Sequence, residues 1–230
     1  MTLLTHPIAL VGMTIGAFHL GQTLYERSGR LPVLQPVLIA IASMVAFLAA
    51  SGISYDTYYQ ATGMLHLLLG PAIVALAVPL HENLVKARSS LGPVFAALLL
   101  GGGGVILSAL VIGRLAGLDA QMELSLLTKS VSAPIALGVA EKLGGDPSLT
   151  ILSVFTTGIF GVVVTPTILR LIGIEDESVR GFTLGLTSHA FGIARSLEIS
   201  SQAAAFATLG MGLMGCATAL AVPTLMKLFV

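Results

Sequence analysis

The chain has 230 residues, 55% of them hydrophobic and only 10% charged, with a formal net charge of zero and a mean hydropathy of +0.97. A soluble domain carries roughly 25% charged residues, and one this apolar could not cover its own surface, so the composition describes a polytopic membrane protein. It excludes a basic field for nucleic acid and, with Cys216 the sole cysteine, any intrachain disulfide or thiolate cluster.

A helical span needs about 20 mostly apolar residues, and the sequence supplies about eight such segments. The first covers residues 3–24 and ends at Tyr25-Glu26-Arg27-Ser28-Gly29-Arg30. It lacks a basic n-region and carries His19 within its apolar run, so it is expected to be retained rather than cleaved. The second follows Pro32 and runs to Ser51; Tyr55, Tyr58 and Tyr59 just beyond it fit a water–lipid boundary. The third, residues 62–80, is interrupted by Gly70-Pro71 and again by Pro79. The fourth, residues 91–112, holds glycines 101–104, which are no phosphate loop because no Gly-Lys-Ser/Thr follows; they imply tight packing or a bend.

The fifth segment, residues 124–143, is polar at Lys129, Ser130 and Ser132, and a Gly144-Gly145-Asp146-Pro147 turn leads from it to the sixth, residues 148–172. A charged loop, residues 173–180, precedes the seventh, residues 179–197. The eighth, residues 203–229, carries Gly210, Gly212 and Gly215 at spacings that permit close helix contact. Cys216, between Gly215 and Ala217, reads as a small packed residue. No long polar linker divides the chain, so one domain over residues 1–230 is expected. The expected fold class is all-α: a polytopic membrane helix bundle of about eight segments, with broken helices and an internal repeat.

The repeat is the pattern Ala-x-Gly-x-Ala-x-x-Leu, found at Ala136 to Leu143 and at Ala190 to Leu197. Each copy follows polar, helix-interrupting residues: Lys129, Ser130, Ser132 and Pro134 in one, Thr187, Ser188 and His189 in the other. Ionisable groups inside a membrane are costly and mark function by default. The expectation is that the two broken segments face each other and form a substrate site. If all eight segments cross, the Lys/Arg bias of the loops at Arg27–Arg30 and Lys86–Arg88 places those loops in the cytoplasm and the N-terminus outside.

From Lys129 to Arg195 the sequence resembles the bacterial LrgB/CidB family and the C-terminal half of the plant plastid glycolate/glycerate transporter. The matching pieces are Lys129-Ser130-Val131, Pro134-Ile135-Ala136, Gly144 to Thr150, Thr157-Gly158-Ile159-Phe160-Gly161, Arg180-Gly181, and Ser188-His189-Ala190-x-Gly192-x-Ala194-Arg195. Upstream, Leu69-Gly70-Pro71-Ala72 and Val74 to Leu80 extend the likeness to essentially the whole chain. Ala133 and Ile193 stand where many relatives have Thr, which bears on the ligand. The resemblance implies either a carrier of small monocarboxylates or hydroxycarboxylates (pyruvate, glycolate, glycerate, lactate) or a holin/antiholin-like pore or regulator of murein hydrolases and lysis. It also implies a separate LrgA/CidA-type membrane partner, an oligomer, and a place in the bacterial inner membrane.

The candidate substrate-binding residues are Lys129, Ser130, Ser132, Pro134, Ser188, His189 and Arg195. Lys129 could hold an anion or snorkel to the headgroups. Pro134 at the first position of a short helix would aim free N–H groups at a cavity, as half-helix ends do toward substrate carboxylates, or it could be a packing kink. His189 could bond substrate or carry a coupling proton, or it could serve as an interhelical hydrogen bonder. Arg195 suits bidentate carboxylate binding but also lies near Glu198 as an end-of-helix charge. Glu141 and Lys142 read as a segment end, and His19 and His66 as structural. His81-Glu82 lacks the second histidine of a zinc-protease motif, and no other constellation supports catalysis. No enzyme, cofactor or metal is expected.

Overall fold

The computed structural model describes residues 5–31 and 34–229; Leu3, Leu4 and Pro32 of the first two predicted segments and the side chain of His66 lie outside the described set. The described chain is helical throughout and divides into two compact units, Met1–Ala75 and Leu76–Val230. Helices begin where the sequence supplies a fixed φ or a capping oxygen. Proline opens α1 (Pro7–Arg27), α2 (Pro36–Ser51) and α11 (Pro147–Leu171), where its missing N–H costs nothing. Asp119, Asp146 and Asp176 accept the N–H of Met122, Leu149 and Ser178, each at 2.8 Å, at the starts of α9, α11 and α12.

In the first unit α1 packs on α2, so closely that a Cβ on Gly21 would lie 2.6 Å from the Pro36 carbonyl oxygen. After α2 come α3 (Tyr55–Ala61) and α4 (Gly63–Ala75). The Thr14 and Tyr58 hydroxyls bond at 3.0 Å and tie α3 to α1. The expected interruption at Gly70-Pro71 is not a break. Pro71 lies inside α4, and the helix axis is interrupted instead at Leu76, before α5 (Ala77–Glu82).

The second unit continues through α6 (Leu84–Ser89), α7 (Leu91–Ala97), a π-helical turn (Leu98–Gly102) and α8 (Gly103–Leu115). The glycine run serves packing: a Cβ on Gly102 would stand 2.9 Å from the Met214 sulfur. Then follow α9 (Ala120–Leu126), α10 (Ala133–Leu143), α11, α12 (Glu177–Leu197) and α13 (Ser201–Phe229). Cys216, expected to be packed, is exposed, because the buried stripe of α13 runs through Met214, Thr218 and Val222 instead.

Among the described residues, five helical stretches can cross a membrane by length and composition: Pro7–Arg27, Gly63–Glu82, Leu91–Leu115, Pro147–Leu171 and Ser201–Met226; Pro36–Ser51 is a shorter apolar helix. The fifth and seventh predicted segments fold back on themselves. In the fifth, the Ser125 hydroxyl, late in α9, accepts the N–H of Asp146 at 2.8 Å and donates to the Gln121 carbonyl at 2.7 Å. The chain therefore leaves α9, passes through the irregular residues 127–132, and returns along α10 to where it started. Ser125→Ala strands the Asp146 N–H, and melting of the detergent-purified protein should show a loss of about 1–3 kcal/mol.

Candidate functional site

The seventh segment is a helical hairpin. Its first half, residues 177–188, ends at His189, whose φ of 42° and ψ of −123° reverse the chain. The second half, residues 190–197, runs back so closely that a Cβ on Gly192 would overlap the Leu184 carbonyl. At the base, Ser200 donates to Glu177 at 2.7 Å and Gln202 to Ser178 at 2.9 Å, which closes the two ends on each other. The 12 residues of the first half reach about 18 Å at 1.5 Å each, less than a hydrocarbon core of about 30 Å.

The tip packs against the middle of α11. His189 is 3% exposed, and its Nε2 lies 3.2 Å from the Val154 carbonyl oxygen. That acceptor requires a proton on Nε2 and leaves Nδ1 as the acceptor of the neutral ring. The His189 ring leans on Phe191 with centroids 5.7 Å apart. Gly158 makes the approach feasible, since a Cβ there would stand 2.7 Å from His189 Cε1. Ser188 is fully buried against Gly161, and its hydroxyl lies 3.2 Å from that of Thr187.

The first break mirrors the second. Ser132 caps α10 with its backbone while its hydroxyl makes no capping bond, and Pro134 occupies the first turn. Ser130 is buried and Ser132 half-buried. Val131 and Ala136 share one core cluster with Val154, Phe182 and Leu186, so both breaks border the same interior. Ala136 and Ala190 are 54 positions apart, and so are Pro147 and Ser201, the first residues of α11 and α13. Each repeat is thus a broken segment followed by a long helix. The repeats are inverted. Gly161 meeting Ser188 sets α11 antiparallel to the first half of α12, whereas Gly181 meeting Ala203 and Gly185 meeting Ala207 set α13 parallel to it.

The candidate residues do not form a single cluster. On α11, Val154, Gly158 and Gly161 face the hairpin tip, while Ser153, Thr156 and Thr157 lie about 100° around the helix. Lys129 belongs to that second face. It lines a cavity of about 350 Å³ with Thr156 and Thr157, and its ammonium is 3.5 Å from the Val105 carbonyl oxygen. Pro134 is exposed and opens on a different groove, between α10 and α13, with Pro223 and Thr224. Arg195 lies near the hairpin base, paired with Glu198. Thr156 and Thr157, which line the same groove as Lys129, were not singled out from the sequence, although Thr157 opens the matching piece that ends at Gly161.

One end of this unit gathers charge. Asp176 caps α12 and stands 4.0 Å from Lys86, while Ser201 donates to Glu82 at 3.2 Å. The Val179 N–H, with smaller help from Ser178 and Lys86, holds the Asp176 carboxyl below its ordinary range. A depressed carboxyl contributes stability present above its unfolded pKa and lost as pH falls through its folded value. The group is more than half exposed, so the effect is small.

The LrgB-like family matches residues 14–228. The chain is 29% identical over 225 residues to the holin-like protein CidB of Staphylococcus epidermidis, covering 96% of each chain. The CidB of Staphylococcus aureus gives the same identity and coverage. The Bacillus subtilis protein YxaC is 34% identical over 206 residues, covering 90% of this chain and 89% of that one. No solved structure matches. The all-helical bundle, the apolar spans and a family match over nearly its whole length agree, and the chain belongs to the LrgB-like family of integral membrane proteins.

Proposed function

We propose that the protein is a secondary carrier of small monocarboxylates or hydroxycarboxylates, of the pyruvate, glycolate, glycerate and lactate class. The observation that carries this reading is the buried His189 at the hairpin tip, held in a backbone conformation that costs about 1–3 kcal/mol for a non-glycine residue. Irregular backbone inside a membrane is tolerated where it is packed in protein or lines a cavity. Broken helices in inverted repeats are how carriers place a substrate site at the bilayer midplane and expose it to either side in turn. Ser130, Ser132, Pro134, Ser188 and His189 would border the path, with Lys129 supplying positive charge. Arg195 would serve mainly to hold the hairpin base. A proton could couple through Nδ1 of His189. The end carrying Lys86 and Arg88 would face the cytoplasm, by the Lys/Arg rule for loops.

A second reading has support of its own. The staphylococcal relatives carry the name holin-like, which favours a pore or lysis regulator assembled with a small LrgA/CidA-type partner. The two readings separate in proteoliposomes loaded with this chain alone or with such a partner. Labelled pyruvate and glycolate uptake is measured at two pH values, beside leakage of an unrelated neutral solute. The carrier gives uptake that saturates and leaves the neutral solute outside. Non-saturating leakage of every small solute, untouched by substitution of His189 and Lys129, would sink the carrier and leave the holin-like pore.

A further inference from the structure

We propose that the cleft between the end of α11 and the start of α12 binds the headgroup of a phospholipid that carries both a phosphate and a primary ammonium, as phosphatidylethanolamine does. The phosphate would lie on Arg170 and Arg180 and the ammonium on Glu175. The proposal stands apart from what the protein carries. Arg170, Ile174, Glu175 and Arg180 line a cleft of about 350 Å³. A fixed turn brings them together: Gly173 takes a φ of 73°, and the Ile174 N–H returns to the Leu169 carbonyl at 2.9 Å. Among the described residues neither guanidinium pairs with a carboxylate, and Glu175 pairs with no cation. The other acids of this loop are engaged elsewhere. Asp176 caps α12 and faces Lys86, and Glu177 accepts from Ser200. Two arginines on one cleft repel each other unless an anion joins them, and their planar forks suit phosphate oxygens.

The position favours a lipid over a free ion. The 25 residues of α11 reach about 37 Å, more than a hydrocarbon core of about 30 Å. Its last turn, which holds Arg170, therefore reaches the headgroup layer, where basic clefts between helices meet lipid phosphates. Ile168, Leu171, Ile172 and Val179 flank the two arginines in the chain and are exposed. They offer acyl tails an apolar surface that an ion in water would not use. The cleft is open, as a ligand arriving from the bilayer requires. Glu175 then selects among headgroups. A primary ammonium offers it three donors, choline offers none, and glycerol leaves the carboxylate beside the phosphate without a counter-charge.

The test is lipid binding, read separately from transport. The full chain, stripped of lipid in detergent, is melted with phosphatidylethanolamine, phosphatidylglycerol or phosphatidylcholine at equal mole fraction, and with soluble phosphoethanolamine. Phosphatidylethanolamine should raise the melting temperature most, and phosphoethanolamine at the same concentration should not raise it. In Arg170→Gln and Arg180→Gln the apparent affinity for phosphatidylethanolamine should fall about tenfold, the scale of one charge-assisted hydrogen bond. Glu175→Gln should erase the preference for phosphatidylethanolamine over phosphatidylglycerol. Arg88→Gln removes an exposed cation outside the cleft and should change nothing. Native mass spectrometry counts the retained lipid directly, and it decides for any variant that melts too low to compare. No shift, equal shifts with all three lipids, or a shift unchanged in both arginine variants overturns the headgroup site, as does an equal loss in Arg88→Gln. A shift as large with soluble phosphoethanolamine overturns the lipid as its occupant.

Discussion

His189→Gly should yield a protein that folds at least as well as the parent yet, under the carrier reading, shows saturable uptake about tenfold lower or none. The two effects come from different atoms. The reversal at the hairpin tip needs φ of 42° with ψ of −123°, a region that glycine adopts without the strain of a side chain. Removing the imidazole therefore relieves the backbone while deleting the bond to the Val154 carbonyl and the contact with Phe191. Under the carrier reading the side chain takes part in transport, so flux should drop about tenfold or more, the loss of one buried hydrogen-bonding group at a site. His189→Ala makes the comparison complete. It deletes the same ring but keeps a Cβ, and it should melt below His189→Gly by about 1 kcal/mol. Equal melting of the two variants would show that the tip is not strained. Full uptake by His189→Gly would remove the imidazole from the mechanism.

Gly185→Val should be the most damaging single change in the second unit. A Cβ at Gly185 would overlap the Ala207 carbonyl, and one at Gly181 would overlap the Ala203 carbonyl one turn earlier. Here α12 and α13 touch backbone to backbone, so no side chain can move aside. Ala203, Ala204 and Ala207 are fully buried on the α13 side. Overpacking a rigid contact costs typically 1–3 kcal/mol and more where backbone must shift. The expected result is a sharp fall in membrane abundance and in melting temperature. Gly212→Val offers the control, because nothing stands within 4 Å of a Cβ there, and it should be tolerated. If both variants accumulate equally, the two helices are not in contact in the membrane.

Much of the helical layout could be read from residue types. Proline and aspartate at helix starts, Gly144 with its positive φ at the end of α10, and runs of apolar residues gave the elements their places. The repeat was visible as well, because packing demands the same small residues twice. The polar run Thr187-Ser188-His189 located the interruption in the seventh segment but not the reversal. Histidine is only a weak signal for a positive φ, and the close fit of Gly158 and Gly161 against the tip is set by tertiary packing. Pro71 misled in the other direction: it suggested a break, yet α4 runs through it. The separation of Lys129 from His189 was invisible for a geometric reason. It depends on which side of α11 each meets, and that follows from three further helices converging on α11 rather than from any local pattern.

The length of the hairpin would also have an electrical consequence in a carrier. The membrane potential acts on a charge in proportion to the fraction of the field it has crossed, about 2.3 kcal/mol per elementary charge per 100 mV for a full crossing. Under the carrier reading, with the tip near the bilayer middle, a monoanion arriving beside it would have crossed roughly half of the field, so about 1.2 kcal/mol per 100 mV would be added to or taken from its occupancy. Occupancy from one side is then favoured by the same voltage that opposes it from the other. In a carrier, the hairpin's length would thus set how strongly the cell's own polarisation rectifies the flux.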